Sequence, residues 1–103
     1  MQRVGFVLKI HPGTEKEYQI RHQHVYPELL RAFKAVGIQT YSIFMYGNTL
    51  FAYMEVSDFT EAMQILSSHP TNKKWQEYMA DILMTDEQGN SMHIIPEVFH
   101  FHG

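Results

Sequence analysis

The chain has 103 residues, 45% of them hydrophobic, with 8 Lys and Arg against 11 Asp and Glu for a net charge of -3, and it contains no cysteine. That length and composition fit one folded domain over residues 1–103 and exclude a disordered chain, a nucleic-acid partner, disulfides, thiolate metal sites and a Cys nucleophile. No apolar run reaches membrane-spanning length and the N-terminal one lacks a signal-peptide cleavage site, so a cytoplasmic protein with no membrane partner is expected.

Along Arg3–Ile10, Val4, Phe6, Leu8 and Ile10 alternate with Arg3, Gly5, Val7 and Lys9, the period-two pattern of a strand with one buried face. Pro12 and Gly13 then punctuate the chain, and Thr14 with Glu17 three residues later has capping-box spacing, so a helix is predicted to start there. Tyr18, His22, Val25, Leu29, Phe33 and Val36 follow at steps of 4, 3, 4, 4 and 3, one continuous stripe at helical period that Gly37 ends. Pro27 interrupts this stripe. It cannot donate to the carbonyl of Gln23, and it biases Tyr26 away from helical dihedrals. Two helices, 14–23 and 27–36, with a break just after His22, are therefore expected.

Residues 38–46 (IQTYSIFMY) and 49–56 (TLFAYMEV) are aromatic-rich strand candidates joined by Gly47-Asn48, a hairpin signal. Asp58 with Glu61 opens another helix, with Phe59, Ala62, Met63 and Leu66 on its buried face. After Pro70, a further helix places Trp75, Tyr78, Met79, Ile82 and Leu83 on one aromatic and apolar face. Residues 85–91 (TDEQGNS) read as a polar loop, and 96–103 (PEVFHFHG) as a short last strand. The order β-α-β-β-α-β, with each helical region split, predicts an α+β, ferredoxin-like fold: a four-stranded antiparallel sheet with helices on one face. The bare sheet face needs a cover, and a second copy of the same sheet is the simplest one, so a homodimer is expected.

Seven histidines raise the question of a metal. On a helix, His22 and His24 point to different faces, and His100 with His102 lies at the chain end without a carboxylate at comparable spacing. The His pair at i, i+4 that marks a metal helix is missing, so no metal site is expected. His11, His69 and His93 read as loop residues. His22 differs, since it lies on the buried stripe one turn after Tyr18. A lone histidine there is ordinarily a satisfied core group. Against that reading, the chain breaks just after it, and Tyr41, Trp75 and Tyr78 fall at neighbouring inward positions. An apolar pocket floored by aromatics, with a few hydroxyls and one titratable imidazole, suits a small molecule and above all a sugar, whose C–H face packs on rings while its hydroxyls seek partners.

The segments Glu17–Leu29 (EYQIRHQHVYPEL), Thr40–Phe44 (TYSIF), Lys73–Met79 (KKWQEYM), Gly89–Ser91 (GNS) and Glu97–Phe101 (EVFHF) resemble, in order and over essentially the whole chain, the L-rhamnose mutarotase family. The family's usual text is E-Y-x-x-R-H-N-x-I-W-P-E-L, N-Y-S-I-x-L-D, K-W-W-x-x-M, D-N-S-P and E-V-F. The resemblance implies a dimeric α/β barrel of ferredoxin-like protomers that interconverts the α and β anomers of L-rhamnose in the cytoplasm, a chemistry that needs neither redox cofactor nor metal. By the same resemblance His22 is the proton donor, with Tyr18 assisting it and binding sugar. Tyr41 is a sugar-binding tyrosine, and Trp75 is the first tryptophan of the W-W pair. Gln76, placed with the sugar contacts, stands where the second tryptophan is usual. Gln23 replaces an Asn, Tyr26 replaces the Trp before the proline, Met92 replaces a Pro, and the hairpin is shorter and lacks the family's Asp. These departures lie on the sugar-contacting rim and leave the Tyr18–His22 pair intact.

Anomer interconversion requires the ring oxygen to gain a proton while the anomeric hydroxyl loses one, which calls for a group that gives and takes protons near neutral pH, and imidazole, with a pKa of about 6.5, does so. The complementary base is left open among a tyrosine, a backbone carbonyl at the break, and water. Two other classes compete: a small dimeric α/β-barrel monooxygenase, to be separated by haem titration or oxygen uptake, and a non-catalytic sugar-binding module, favoured if Gln76 has disabled turnover.

Overall fold

The computed structural model describes all 103 residues as β1 Gln2–Lys9, α1 Glu15–His22, α2 Pro27–Ala35, β2 Ile38–Tyr46, β3 Thr49–Val56, α3 Phe59–Ser67, α4 Pro70–Met79 and β4 His93–Ile95. The strands form one sheet in the order β2-β3-β1-β4 with every neighbouring pair antiparallel. This is the expected ferredoxin-like arrangement, with a split helix pair in each crossover. Phe6, Ile10, Leu50, Ala52, Met54 and Val56 point to the buried side of the sheet, as strand alternation requires. Ala32 of α2 with Ala62 and Leu66 of α3 packs on one part of that face, and Tyr18 of α1, Leu29 of α2, Trp75 and Met79 of α4 on the other. The opposite face carries Phe44 and Phe51, a cross-strand pair 65% and 43% exposed.

Local chemistry accounts for the turns. Tyr46 pairs with Thr49 across a two-residue loop in which Gly47 takes φ +60° and Asn48 stays negative, the sign pattern of a II′ hairpin. Gly37 ends the α2 region at φ +91°, where a Cβ would also come within 3.1 Å of the Ser57 hydroxyl. Pro27 opens α2 at its first turn, and residues 23–26 form the expected break. Asp58 caps α3 by accepting from the Glu61 amide at 3.1 Å.

Four expectations are corrected. The Thr14–Glu17 capping box does not form: the Thr14 hydroxyl donates to the His11 carbonyl (2.6 Å), and Glu17 instead accepts from Arg21. The helix bearing Trp75 ends at Met79, because the chain turns there to bring Ile82 and Leu83 beside Ile10 and His11. The last strand is His93–Ile95 and not residues 96–103. Pro96 has no amide to continue the ladder, and beyond it the tail is held to β1 by the Arg3–Glu97 ion pair, leaving Val98, Phe99 and Phe101 exposed. His69 and His93 are not plain loop residues either, since His69 caps α4 by accepting from the Thr71 amide and His93 lies in β4. No helix is long and apolar enough to cross a membrane.

Candidate functional site

Between the helices and the inner sheet face lies a cavity of about 750 Å³, floored by Phe6, Leu8 and Met54 and lined by Tyr18, His22, Tyr41, Trp75 and Gln76 together. The five residues singled out from the sequence come from α1, β2 and α4 and converge on this one space. Helical spacing brings Tyr18 and His22 to the same side of α1, and the break after His22 frees its far side. Trp75 projects from α4 with its neighbours Tyr78 and Met79 one turn on, but only Trp75 and Met79 are buried.

The imidazole of His22 is held on three sides. Its face stacks on the Tyr18 ring (centroids 4.1 Å apart, 23° between planes), and the Trp75 ring meets it nearly perpendicularly at 5.3 Å. Its Nδ1 lies 3.0 Å from the Tyr18 carbonyl oxygen, which can only accept, so Nδ1 carries the proton in the neutral ring and Nε2 carries the lone pair. Burial holds the imidazole pKa below its ordinary 6.5, partly offset by that carbonyl hydrogen bond. Nε2 is thus the ring nitrogen left with a free lone pair.

The two phenols have the opposite tendency. Burial pushes the Tyr41 hydroxyl up to about 12 and raises that of Tyr18 as well, to which the nearby Tyr41 hydroxyl adds repulsion. Both stay protonated at neutral pH and can donate a hydrogen bond, which makes either a poor general base. Tyr41 is wedged between Phe6 and Phe33, with ring centroids at 6.0 and 5.6 Å. Tyr26, before Pro27, meets Trp75 nearly perpendicularly at 5.2 Å, behind the cavity wall. Gln76 is exposed at the mouth, where Gln19 and Gln23 also line the opening. His24 is exposed and outside the cavity lining.

Sequence reasoning passed over Arg21, whose side chain is only 12% exposed and whose guanidinium reaches Glu17, Asp81 and the Tyr78 carbonyl at once. The spacing of Glu17 and Arg21 on one helix face was a visible signal. The partners at 78 and 81 lie far along the chain and left no local trace.

Comparison with known proteins bears on the family and the fold. A model of the L-rhamnose mutarotase family matches residues 3–101. The L-rhamnose mutarotase of Flavobacterium johnsoniae is 39% identical over 95% of this chain and 94% of its own. The crystal structure of L-rhamnose mutarotase from Formosa agariphila superposes with a TM-score of 0.85 at 32% identity, covering 99% of this chain and 100% of that one. The tetracenomycin F2 cyclase of Streptomyces glaucescens, at 20% identity and a TM-score of 0.66 over 100% of this chain and 98% of that one, shares the fold. With a family match over nearly its full length and relatives well above 30% identity, the chain belongs to the L-rhamnose mutarotase family.

Proposed function

We propose that this chain interconverts the α and β anomers of L-rhamnose, or of a closely related aldose, by acid–base catalysed opening and reclosing of the sugar ring. The observation that carries the proposal is the Tyr18–His22–Trp75 cluster: a proton-exchanging imidazole between two aromatic faces, on the wall of a cavity in a chain of the mutarotase family.

His22 acts as the proton donor. Protonated His22 gives its Nε2 proton to the ring oxygen as the C1–O bond breaks, while the anomeric hydroxyl loses its proton and becomes the aldehyde. Rotation about C1–C2 turns the carbonyl, and the step runs backwards: neutral His22 takes the proton from the sugar hydroxyl as the ring recloses on the other face. The Nδ1 hydrogen bond to the Tyr18 carbonyl keeps Nε2 as the exchanging atom throughout. Tyr18 and Tyr41 donate hydrogen bonds to sugar oxygens, and Trp75 packs on the sugar's C–H face. Gln76 contacts the sugar at the mouth. Water is a better complementary base than either phenol. The net reaction is redox-neutral, so its chemistry calls for no cofactor.

The working unit we propose is a homodimer of single-domain protomers in the cytoplasm. Supporting the dimer, the outer sheet face presents the cross-strand pair Phe44 and Phe51 to solvent, an apolar surface that a second copy would cover. The family resemblance supports the cytoplasmic location.

The test is the anomer exchange rate of L-rhamnose, followed by saturation-difference NMR, across a panel that includes L-fucose, L-lyxose and L-mannose. Acceleration of at least one sugar is expected. Binding of 6-deoxyhexoses with no acceleration would replace the enzyme with a sugar-binding module.

A further inference from the structure

Two adjacent side chains of α1 grip α4 and the turn that follows it. His22 meets Trp75, while Arg21 reaches Tyr78, one helical turn on, and Asp81, just past the end of the helix. The Arg21 guanidinium donates through Nη1 and Nη2 to the two carboxylate oxygens of Asp81 (2.9 and 3.2 Å) and through Nη1 to the Tyr78 carbonyl (2.7 Å). Its Nε donates to Glu17 (2.8 Å), and its Cζ lies over the Tyr78 ring, 4.5 Å from the ring centre. Tyr78 in turn packs on Trp75 at 5.6 Å. The contacts therefore close a ring, Arg21–Tyr78–Trp75–His22, whose first and last members are neighbours in the chain.

This ring bears on the orientation of the imidazole because α1 has little else to fix it. The helix has eight residues, buries only Tyr18, and has no side-chain cap at its start. A helix so short is not held by its own hydrogen bonds and takes its pose from tertiary contacts. Arg21 is the one contact among these with planar, forked geometry, which resists rotation of α1 about its axis as a lysine could not. It is absent from the cavity lining, so the proposal gives it no contact with substrate.

We infer that Arg21 is a positioning residue, whose forked grip on Asp81 and the Tyr78 carbonyl holds the last turn of α1 at the rotation that keeps the His22 imidazole against Trp75 and turns its Nε2 to the cavity. The catalytic half of this inference rests on the anomer-exchange function proposed above; the structural half does not.

The test compares wild type with Arg21→Met, Arg21→Lys and Asp81→Asn in the full chain. It measures thermal midpoint, kcat and KM for anomer exchange, and the sugar-free titration of the His22 Cε1 proton by NMR, assigned with His22→Gln. Loosening the clamp should lower kcat about 10- to 100-fold, the effect of a small misplacement of a reacting group, with KM little changed. The His22 midpoint should rise toward 6.5 as the ring gains water. Arg21→Lys, with the charge but not the fork, should fall between wild type and Arg21→Met. A lowered thermal midpoint with unchanged kcat and an unchanged His22 titration would reduce Arg21 to a stabilising contact and overturn the inference. If Arg21→Met fails to fold, Asp81→Asn decides, since it keeps side-chain volume and leaves Arg21 on Glu17 and the Tyr78 carbonyl. Should wild type itself leave anomer exchange unaccelerated, the proposed function falls while the His22 titration still judges the clamp.

Discussion

Tyr18 holds His22 in two independent ways: its ring stacks on the imidazole at 4.1 Å, and its backbone carbonyl lies 3.0 Å from Nδ1. The hydrogen bond fixes which nitrogen exchanges protons and the stack fixes the plane of the ring, so a change to the side chain leaves the tautomer intact. The role proposed for the Tyr18 hydroxyl and the hold of Tyr18 on His22 are thereby separable.

Replacing His22 by Ala removes the only group in the cavity lining whose ordinary pKa lies near neutrality. Loss of general acid–base catalysis is worth about 10²- to 10⁴-fold in rate. The anomer exchange rate of L-rhamnose in saturation-difference NMR should fall by that amount while the circular dichroism spectrum is retained. Full residual exchange would remove His22 from the mechanism.

Tyr18→Phe keeps the ring on His22 and deletes one hydroxyl. A hydrogen bond of about 1 kcal/mol corresponds to a roughly fivefold loss in kcat/KM, with stability nearly unchanged. Tyr18→Ala is a different experiment, because Tyr18 is one of the buried residues of the core formed with Leu29, Leu50 and Trp75. Emptying an aromatic site in a core costs about 3–5 kcal/mol, and urea unfolding should report it. A large loss of stability in Tyr18→Phe would mean that the hydroxyl serves the fold and not the sugar.

Much of this site was legible because its determinants are local. The helical spacing of Tyr18 and His22, the proline that breaks the chain after them, the Gly47-Asn48 turn and the Asp58 cap each act within a few residues, and each formed as read. The misses share the opposite character. Thr14 and Glu17 have capping-box spacing, but Glu17 is drawn to Arg21, which is itself drawn to Asp81, 60 residues away. Residues 96–103 alternate as well as any strand, yet pairing also needs donors, and Pro96 withholds one just where β4 would continue along β1. The last helix stops at Met79, although Ile82 and Leu83 continue its period, because their backbone is taken by Ile10 and His11. Periodicity says which side chains want burial and is silent on which distant backbone will bury them.

The pH dependence expected of the reaction follows from the role proposed for His22. Burial lowers its pKa from 6.5, so the donor form is lost as pH rises through a midpoint below that value, and kcat/KM for ring opening should fall over that interval. Stability runs the other way. The unfolded chain binds the His22 proton more tightly than the folded one, so this contribution is complete above 6.5 and is lost as pH falls toward the folded midpoint. Asp81, held below its ordinary 3.8 by the Arg21 hydrogen bonds, adds a second loss only in stronger acid. A rate that instead climbs with pH through the His22 midpoint would make His22 the initial base and pass the donor role to a phenol.

Gln76 lines the cavity mouth, at the position where the family resemblance implies a second tryptophan. An aromatic face there would stack on the sugar and displace water, whereas an amide pairs with hydroxyls and leaves the mouth open. Gln76→Trp should therefore lower KM for L-rhamnose and narrow the range of sugars accepted. Equal KM values for L-rhamnose and L-mannose before and after the change would exclude Gln76 from substrate contact.

The outer sheet face is the last point at which sequence, fold and function meet. Phe44 and Phe51 pair across β2 and β3 on the side away from all four helices, with Tyr46 beside them 82% exposed. Strand alternation did not put them there by accident of register, because Ile43, Leu50 and Ala52 occupy the core side of the same strands. A chain of this length gains appreciably from burying such a face, and a symmetric pairing would set each aromatic patch against its own copy. Placing Lys at 44 and at 51 introduces like charges into that contact while leaving the core side untouched. Sedimentation equilibrium should find a dimer for wild type and a monomer for the Phe44→Lys, Phe51→Lys double variant, with lower thermal stability. Because the cavity opens on the helix side of the sheet, the monomer should retain anomer exchange in proportion to its folded fraction. A wild-type chain that sediments as a monomer at all concentrations tested would dispose of the dimer.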